Sequence, residues 1–290
     1  MFEALFSYGF LQNAFWSVLL ASVVCGIVGT IIIQKHWVMM SGGIAHTAFG
    51  GIGMGYFFGF EPILGALLFA SGSSVAIAAI KRHTNTGTDT LVGMLWALGM
   101  AAGILFISFT PGYPPDMASY LFGDILTVTP TDLWMMLVLA SFVVVSIFSF
   151  FNMWKSFLFD EEYAFVSGLP TAFLEYFLFF LVALTVIVLI RVVGIILVIA
   201  MLTAPSAIAG LFSKDLRLTM VLAGGIGMVG GIAGLWLSYT FDLASGATII
   251  LLLGGGYFVS VLLHSLGKKL AEQTKTRGEK NGHHRASLRP

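Results

Sequence analysis

The chain has 290 residues, 58% hydrophobic and only 10% charged, and its formal net charge is zero. Soluble domains carry about 45–50% apolar and about 25% charged residues, so a soluble globular fold is excluded and a polytopic membrane protein is indicated. The charge balance gives no general attraction to nucleic acid, and the lone Cys25 excludes a disulfide framework or a cysteine-based zinc motif.

A helix crossing the hydrocarbon needs about 20 apolar residues. Nine stretches of that kind run at about 11–33, 37–58, 62–80, 90–110, 133–151, 173–190, 192–212, 218–239 and 243–264, and apart from Glu175 none contains Lys, Arg, Asp or Glu. The expected fold is therefore an all-α integral membrane bundle of about nine transmembrane helices in one domain, 1–266, with a basic tail over 267–290. Met1-Phe2-Glu3-Ala4-Leu5-Phe6 lacks the basic segment and small-residue cleavage site of a signal peptide, so the first stretch is expected to be retained.

The second stretch holds Ser41-Gly42-Gly43-Ile44-Ala45-His46-Thr47-Ala48-Phe49-Gly50-Gly51-Ile52-Gly53. In a helix Gly42, His46 and Gly50 stack at i, i+4 and i+8, and Gly53 follows seven residues after His46, so the imidazole lies on a face almost without side chains. Such a face admits a neighbouring helix or an aqueous path, not lipid. Two readings follow: a histidine that only hydrogen-bonds a neighbouring helix, or a residue on a substrate route, the usual role of intramembrane ionisable groups.

After the fourth stretch comes an irregular, proline-rich loop, Pro111-Gly112-Tyr113-Pro114-Pro115-Asp116, followed by Tyr120-Leu121-Phe122-Gly123-Asp124-Ile125-Leu126. Between the fifth and sixth stretches, residues 152–172 carry Lys155-Ser156-Phe157-Leu158-Phe159-Asp160-Glu161-Glu162-Tyr163-Ala164-Phe165-Val166-Ser167-Gly168-Leu169-Pro170. Asp160 suits an N-cap, Glu161 and Glu162 suit the positive first turn, and Gly168 with Pro170 supplies a stop. Tyr163, Val166, Phe157 and Phe159 are expected to leave apolar surface on a loop facing water, which points to a partner that receives a helix in a groove. A helix resting on the membrane interface is the bland alternative, although such helices normally have a basic polar face and this one is acidic.

Pro205 in the seventh stretch frees backbone carbonyls, and Gly224, Gly225, Gly227, Gly230, Gly231 and Gly234 in the eighth suit close helix contact. The tail beyond Leu266 has seven Lys or Arg residues and His283-His284. It is expected to be disordered and drawn to anionic lipid, and two adjacent histidines alone make an incomplete metal site.

All Lys and Arg residues except Arg191 fall on one side of the nine stretches, so by the positive-inside rule the N-terminus is expected outside and the C-terminus in the cytoplasm. Glu3, Glu61, Asp116, Asp124, Asp132 and Asp242 fall on the outer side, either as ordinary loop acids or as a field that concentrates cations. No phosphate-binding G-x-x-x-x-G-K-[ST] loop is present, so ATP-driven transport would need a separate subunit.

Several of these segments together carry a resemblance: Gly42 to Gly51, Asp89-Thr90-Leu91-Val92-Gly93, Tyr120 to Leu126, Phe159 to Gly168, and Val193-Gly194-Ile195-Ile196-Leu197-Val198-Ile199-Ala200-Met201-Leu202 continuing to Pro205-Ser206-Ala207. Over nearly its whole length the chain resembles the permease subunits of bacterial and archaeal ABC importers for zinc and manganese. The resemblance implies a homodimer in the cell membrane, two cytoplasmic ATPase subunits that bind the ATP, and an extracytoplasmic metal-binding protein. It implies a transported divalent ion, zinc or manganese, with no stably bound cofactor. Asp160, Glu161, Glu162, Tyr163, Ala164 and Gly168 then look like a coupling helix, about 158–169, seated in the ATPase. His46 matches a histidine on the family's path, with Gly42, Gly50 and Gly53 as the pathway face.

One departure is that many members have an aspartate where this chain has Gly42. Manganese favours oxygen ligands and zinc accepts imidazole, so the departure leans to zinc. Outside this resemblance stand an autonomous secondary transporter or channel, which needs intramembrane carboxylates of its own, and a membrane metalloenzyme, which needs several convergent ligands.

Overall fold

The computed structural model describes residues 7–84, 87–112 and 123–286, with side chains as far as Lys269. Glu3, Asp116, Tyr120 to Phe122 and the side chains of His283 and His284 lie outside the described residues. The helices are α1 (Gly9–Gln34), α2 (Val38–Phe58), α3 (Pro62–His83), α4 (Thr88–Phe109), α5 (Pro130–Ser149), α6 (Phe151–Phe159), α7 (Glu161–Val166), α8 (Thr171–Val193), α9 (Ile195–Phe212), α10 (Leu216–Phe241) and α11 (Ser245–Ala286). The nine long ones fall on the nine apolar stretches, and no strand occurs among the described residues.

Local chemistry accounts for the boundaries. Pro62 and Pro130 open α3 and α5 in the first turn, where a missing N–H costs nothing. Thr129 and Asp132 close a capping box at α5. Gly59, at φ +75°, ends α2 in the left-handed conformation that glycine adopts without strain. Eight long helices are apolar enough to cross a membrane by composition alone; α2 is the exception, because six glycines, His46, Ser41 and Thr47 dilute its apolar side chains. Burial supplies what its composition lacks.

Small residues set the packing. A Cβ on Gly51 would overlap the Gly65 carbonyl of α3, and a Cβ on Gly53 would lie 2.5 Å from the Gly103 carbonyl of α4. Backbones that touch in this way gain van der Waals contact along the whole crossing, which replaces the hydrophobic drive that lipid removes. α1 meets α10 by the same device, with a Cβ on Gly26 falling 2.5 Å from the Gly224 nitrogen, and Gly231 and Gly234 face Val18 and Ile249. Close helix packing thus explains most of the glycines of α10, although Gly225 faces open space. α8 runs through the centre of the bundle, whereas α4 and α11 expose most of their surface.

Ion pairs at the two ends agree with alternating helix direction. Lys35, Lys81 and Arg82 meet Glu161 and Glu175 at one end, and Arg191 meets Glu61 and Asp132 at the other. α11 continues to Ala286 in its backbone. Lys, Leu, Ala, Glu and Gln are good helix formers, and a helix already nucleated in the bundle extends through them cheaply.

Candidate functional site

His46 sits half-buried in α2, and its ring stacks on Trp96 of α4 with centroids 4.2 Å apart and 9° between the planes. Thr47 fixes the register beside it, because its Oγ1 lies 2.7 Å from the Gly43 carbonyl and 3.2 Å from the Leu95 carbonyl of α4. The buried His46 Nδ1 has no hydrogen-bond partner, so the reading of a histidine bonded to its neighbour helix does not describe this nitrogen. A stacked imidazole with a free ring nitrogen is held in place while keeping a lone pair or a proton available.

The glycines around it divide in two. Gly50 and Gly53 are closed off by α4, Gly50 with a would-be Cβ 2.7 Å from the Gly99 carbonyl, so these positions admit a helix rather than an open path. Gly42 is different: a Cβ there would lie 3.7 Å from Trp96 and 3.7 Å from Ile199 of α9, at ordinary contact distance. Gly42, one turn before His46, is thus flanked by α4 and α9 at van der Waals distance. Among the described residues no three His, Cys, Asp or Glu side chains converge on a metal-sized site. The sequence reading missed Trp96, because an aromatic in an apolar span carries no local signal of what it stacks on.

At the basic end, α6 and α7 form an elbow around Asp160. Its carboxylate accepts the Tyr163 N–H at 2.8 Å, and Gly168 at φ +81° ends α7 with Leu169 N–H donating to the Ala164 carbonyl at 3.0 Å. Both expected signals, cap and stop, are thus in place. Tyr163, Phe165 and Val166 are exposed, Val166 to 84%, while Ala164 is buried against the bundle. Phe157 departs from expectation: it is fully buried, in a helix of its own, α6, which the sequence reading did not separate from the loop. Its ring receives Lys35, whose Nζ lies 4.1 Å from the centroid and donates to Glu161 at 3.2 Å.

Glu175, buried to 2% exposure, accepts from Lys81 and from Arg82 Nε at 2.8 Å. The one acidic residue of the apolar stretches is thus neutralised at the bundle end. At the opposite end Arg191 Nε lies 2.7 Å from Asp132 and its Nη1 donates to Glu61 at 3.2 Å. Asp124 accepts from the Leu126 N–H at 3.0 Å and from Ser245 at 3.3 Å. These three acids have structural partners, which weakens the idea of a free cation-concentrating field.

Nine membrane-length helices make a multi-pass membrane protein, with a short capped helix whose Tyr163, Phe165 and Val166 stand exposed at one end. Over residues 7–264 the chain matches the ABC 3 transport family, and it belongs to that family. It is 44% identical, over 90% of its length and 92% of the relative's, to an uncharacterized membrane protein of Synechocystis. With the manganese transport system membrane protein MntC of Listeria monocytogenes it shares 35% identity over 90% of this chain and 92% of that one. Among solved structures, PsaBC from Streptococcus pneumoniae, determined with a Fab, superposes at a TM-score of 0.80 with 29% identity, covering 89% of this chain and 93% of that one. Membership of an ABC family, together with the pairing of Glu175, sets aside the autonomous secondary transporter and the membrane metalloenzyme.

Proposed function

We propose that this chain is the membrane-spanning permease of an ATP-driven importer for a divalent transition-metal ion, working as a homodimer with two cytoplasmic ATPase subunits and an extracytoplasmic metal-binding protein. The observation that carries the reading is the family match over nearly the whole chain, from residue 7 to residue 264. The cargo reading draws on the relatives whose names state one, which are manganese systems. That stands against the lean to zinc taken from Gly42.

His46 is the proposed pathway ligand. Its ring nitrogen is unpartnered and one chain offers no full ligand set among the described residues, which suits transient coordination, or a site completed by the second copy, rather than tight storage. The basic end is proposed as cytoplasmic by the excess of Lys and Arg there. On that orientation the exposed face of α7, Tyr163, Phe165 and Val166, is the coupling surface, with Asp160, Glu161, Glu162, Ala164 and Gly168 shaping it. ATP then acts on the partner, and this chain converts the partner's movement into access to His46 from alternate sides.

The test is uptake of manganese and zinc in a host lacking its own importers for both, expressing the chain with its neighbouring reading frames. Metal accumulation that requires both this chain and an intact ATPase partner is the expected result. Accumulation independent of the ATPase, or none for either metal with the complex assembled, overturns the reading.

A further inference from the structure

A cavity of about 340 Å³ opens at the basic end between α1, α9 and α10, away from His46. Thr30, Gln34, His36, Ser206 and Lys214 supply its polar lining, and Phe159, next to the Asp160 cap, forms part of its wall. No carboxylate lines it. Asp215, between the lining residues Lys214 and Leu216, accepts from the Leu218 N–H at 3.4 Å as the N-cap of α10.

Three features of this lining go beyond packing. Ser206 is 1% exposed and its Oγ has no hydrogen-bond partner, whereas Thr203, one turn earlier, is satisfied by the Ile199 carbonyl at 2.8 Å. An orphaned buried hydroxyl carries a free-energy cost unless something meets it. His36 occupies the left-handed position that ends α1, at φ +58°, with Trp37 N–H donating to the Ile32 carbonyl at 2.8 Å. Glycine is the low-strain residue there, so a histidine stands at this point of the cavity lining at a backbone cost. Finally, the first turn of the 26-residue α10 lines the cavity through Leu216 and Thr219, with its positive end toward it. Arg217 is engaged over the Phe151 ring at 4.3 Å, which leaves Lys214, in no ion pair among the described residues, as the cation of the cavity.

We propose that this cavity binds a phosphate-bearing anion, recognised by Lys214, His36 and the Ser206 hydroxyl at the N-terminus of α10. The same chemistry is offered by the headgroup of an anionic phospholipid and by free inorganic phosphate. An occupant would join three helices directly beside the α6–α7 elbow, so its presence would stiffen the base from which α7 projects.

The purified complex is reconstituted in nanodiscs of phosphatidylcholine with and without phosphatidylglycerol, and lipid retained after detergent stripping is read by native mass spectrometry. Inorganic phosphate is titrated separately and followed by phosphorus NMR line broadening. Lys214→Ala and His36→Gly are each expected to weaken the bound anion roughly tenfold, as loss of one charge-assisted hydrogen bond implies, with a smaller loss for Ser206→Ala. His36→Gly relieves the left-handed strain, so loss of binding with an unchanged or raised Tm separates recognition from misfolding. Retained phosphatidylglycerol that the variants release supports the lipid source; phosphate broadening that they abolish supports the free anion. Binding of neither probe overturns the proposal, and so does an equal loss in Lys268→Ala, which alters the basic surface outside this cavity.

Discussion

Lys35, the C-cap of α1, donates to Glu161 in the first turn of α7 at 3.2 Å, a contact between residues 126 positions apart. Glu161 is partly exposed, and such pairs contribute roughly 0.2–1 kcal/mol. Its importance is therefore positional: it ties the short, protruding α7 to the helix that leads into the His46 segment.

Lys35→Ala and Glu161→Gln should lower uptake several-fold while thermal unfolding of the complex barely shifts. Uptake and Tm are measured on the same preparations. Full uptake in both variants would mean that the tie carries no motion between α7 and the bundle.

Gly168 has open space around its would-be Cβ, so substitution there acts through the backbone alone. Holding a β-branched residue at φ +81° costs roughly 1–2 kcal/mol. Gly168→Val is expected to abolish uptake and copurification of the ATPase with the permease still in the membrane, whereas Gly168→Asn keeps much of both. Equal behaviour of Val and Asn would exclude the left-handed stop as the cause.

Two glycines of α2 should respond in opposite ways to one methyl group. Gly51→Ala would push into the Gly65 carbonyl and is expected to prevent accumulation of folded protein, while Gly42→Ala has 3.7 Å of clearance and should be accepted. Membrane yield and monodispersity on size exclusion report the difference. Normal yield of Gly51→Ala would contradict the close seam between α2 and α3.

His46→Ala should remove most metal uptake in an assembled complex, with ATP hydrolysis continuing uncoupled. Wild-type uptake should fall as the medium is acidified, because a protonated ring offers no lone pair to a metal. The residual uptake of the variant should lose that pH dependence. An unchanged rate in His46→Ala, with complex intact, removes His46 from the path.

Removing the partners of Glu175 should cost more than removing Glu175 itself. Lys81 and Arg82 are about one-third exposed and can turn to water, but the carboxylate at 2% exposure cannot. The double change Lys81→Ala, Arg82→Ala strands that charge, a type of loss worth about 3–5 kcal/mol; Glu175→Gln should be milder. Denaturation midpoints that reverse this order would show that the buried end is wetter than its geometry implies.

Local chemistry was legible where it is written in neighbouring residues. Long apolar runs marked the nine helices, and Asp160 and Gly168 act through bonds within a turn of themselves. What was not legible lies between distant residues. Nothing within α8 announces that Glu175 meets Lys81 and Arg82 some 93 to 94 positions away, or that Arg191 answers Asp132. Phe157 read as an exposed aromatic because its burial comes from packing with residues distant in sequence, Lys35 among them. For Gly50 and Gly53 the sequence left a neighbouring helix and an aqueous path both open, because a face without side chains suits either and periodicity cannot distinguish the two.

The glycine crossings of α2 with α3 and α4 also constrain how the protein works. Where carbonyls and α-carbons touch there is no side-chain layer to re-pack, so these three helices resist sliding past one another. The Gly42 side of the same helix meets α9 only through ordinary side-chain contact with Ile199. The bundle therefore has a weld on one flank of His46 and a yielding joint on the other.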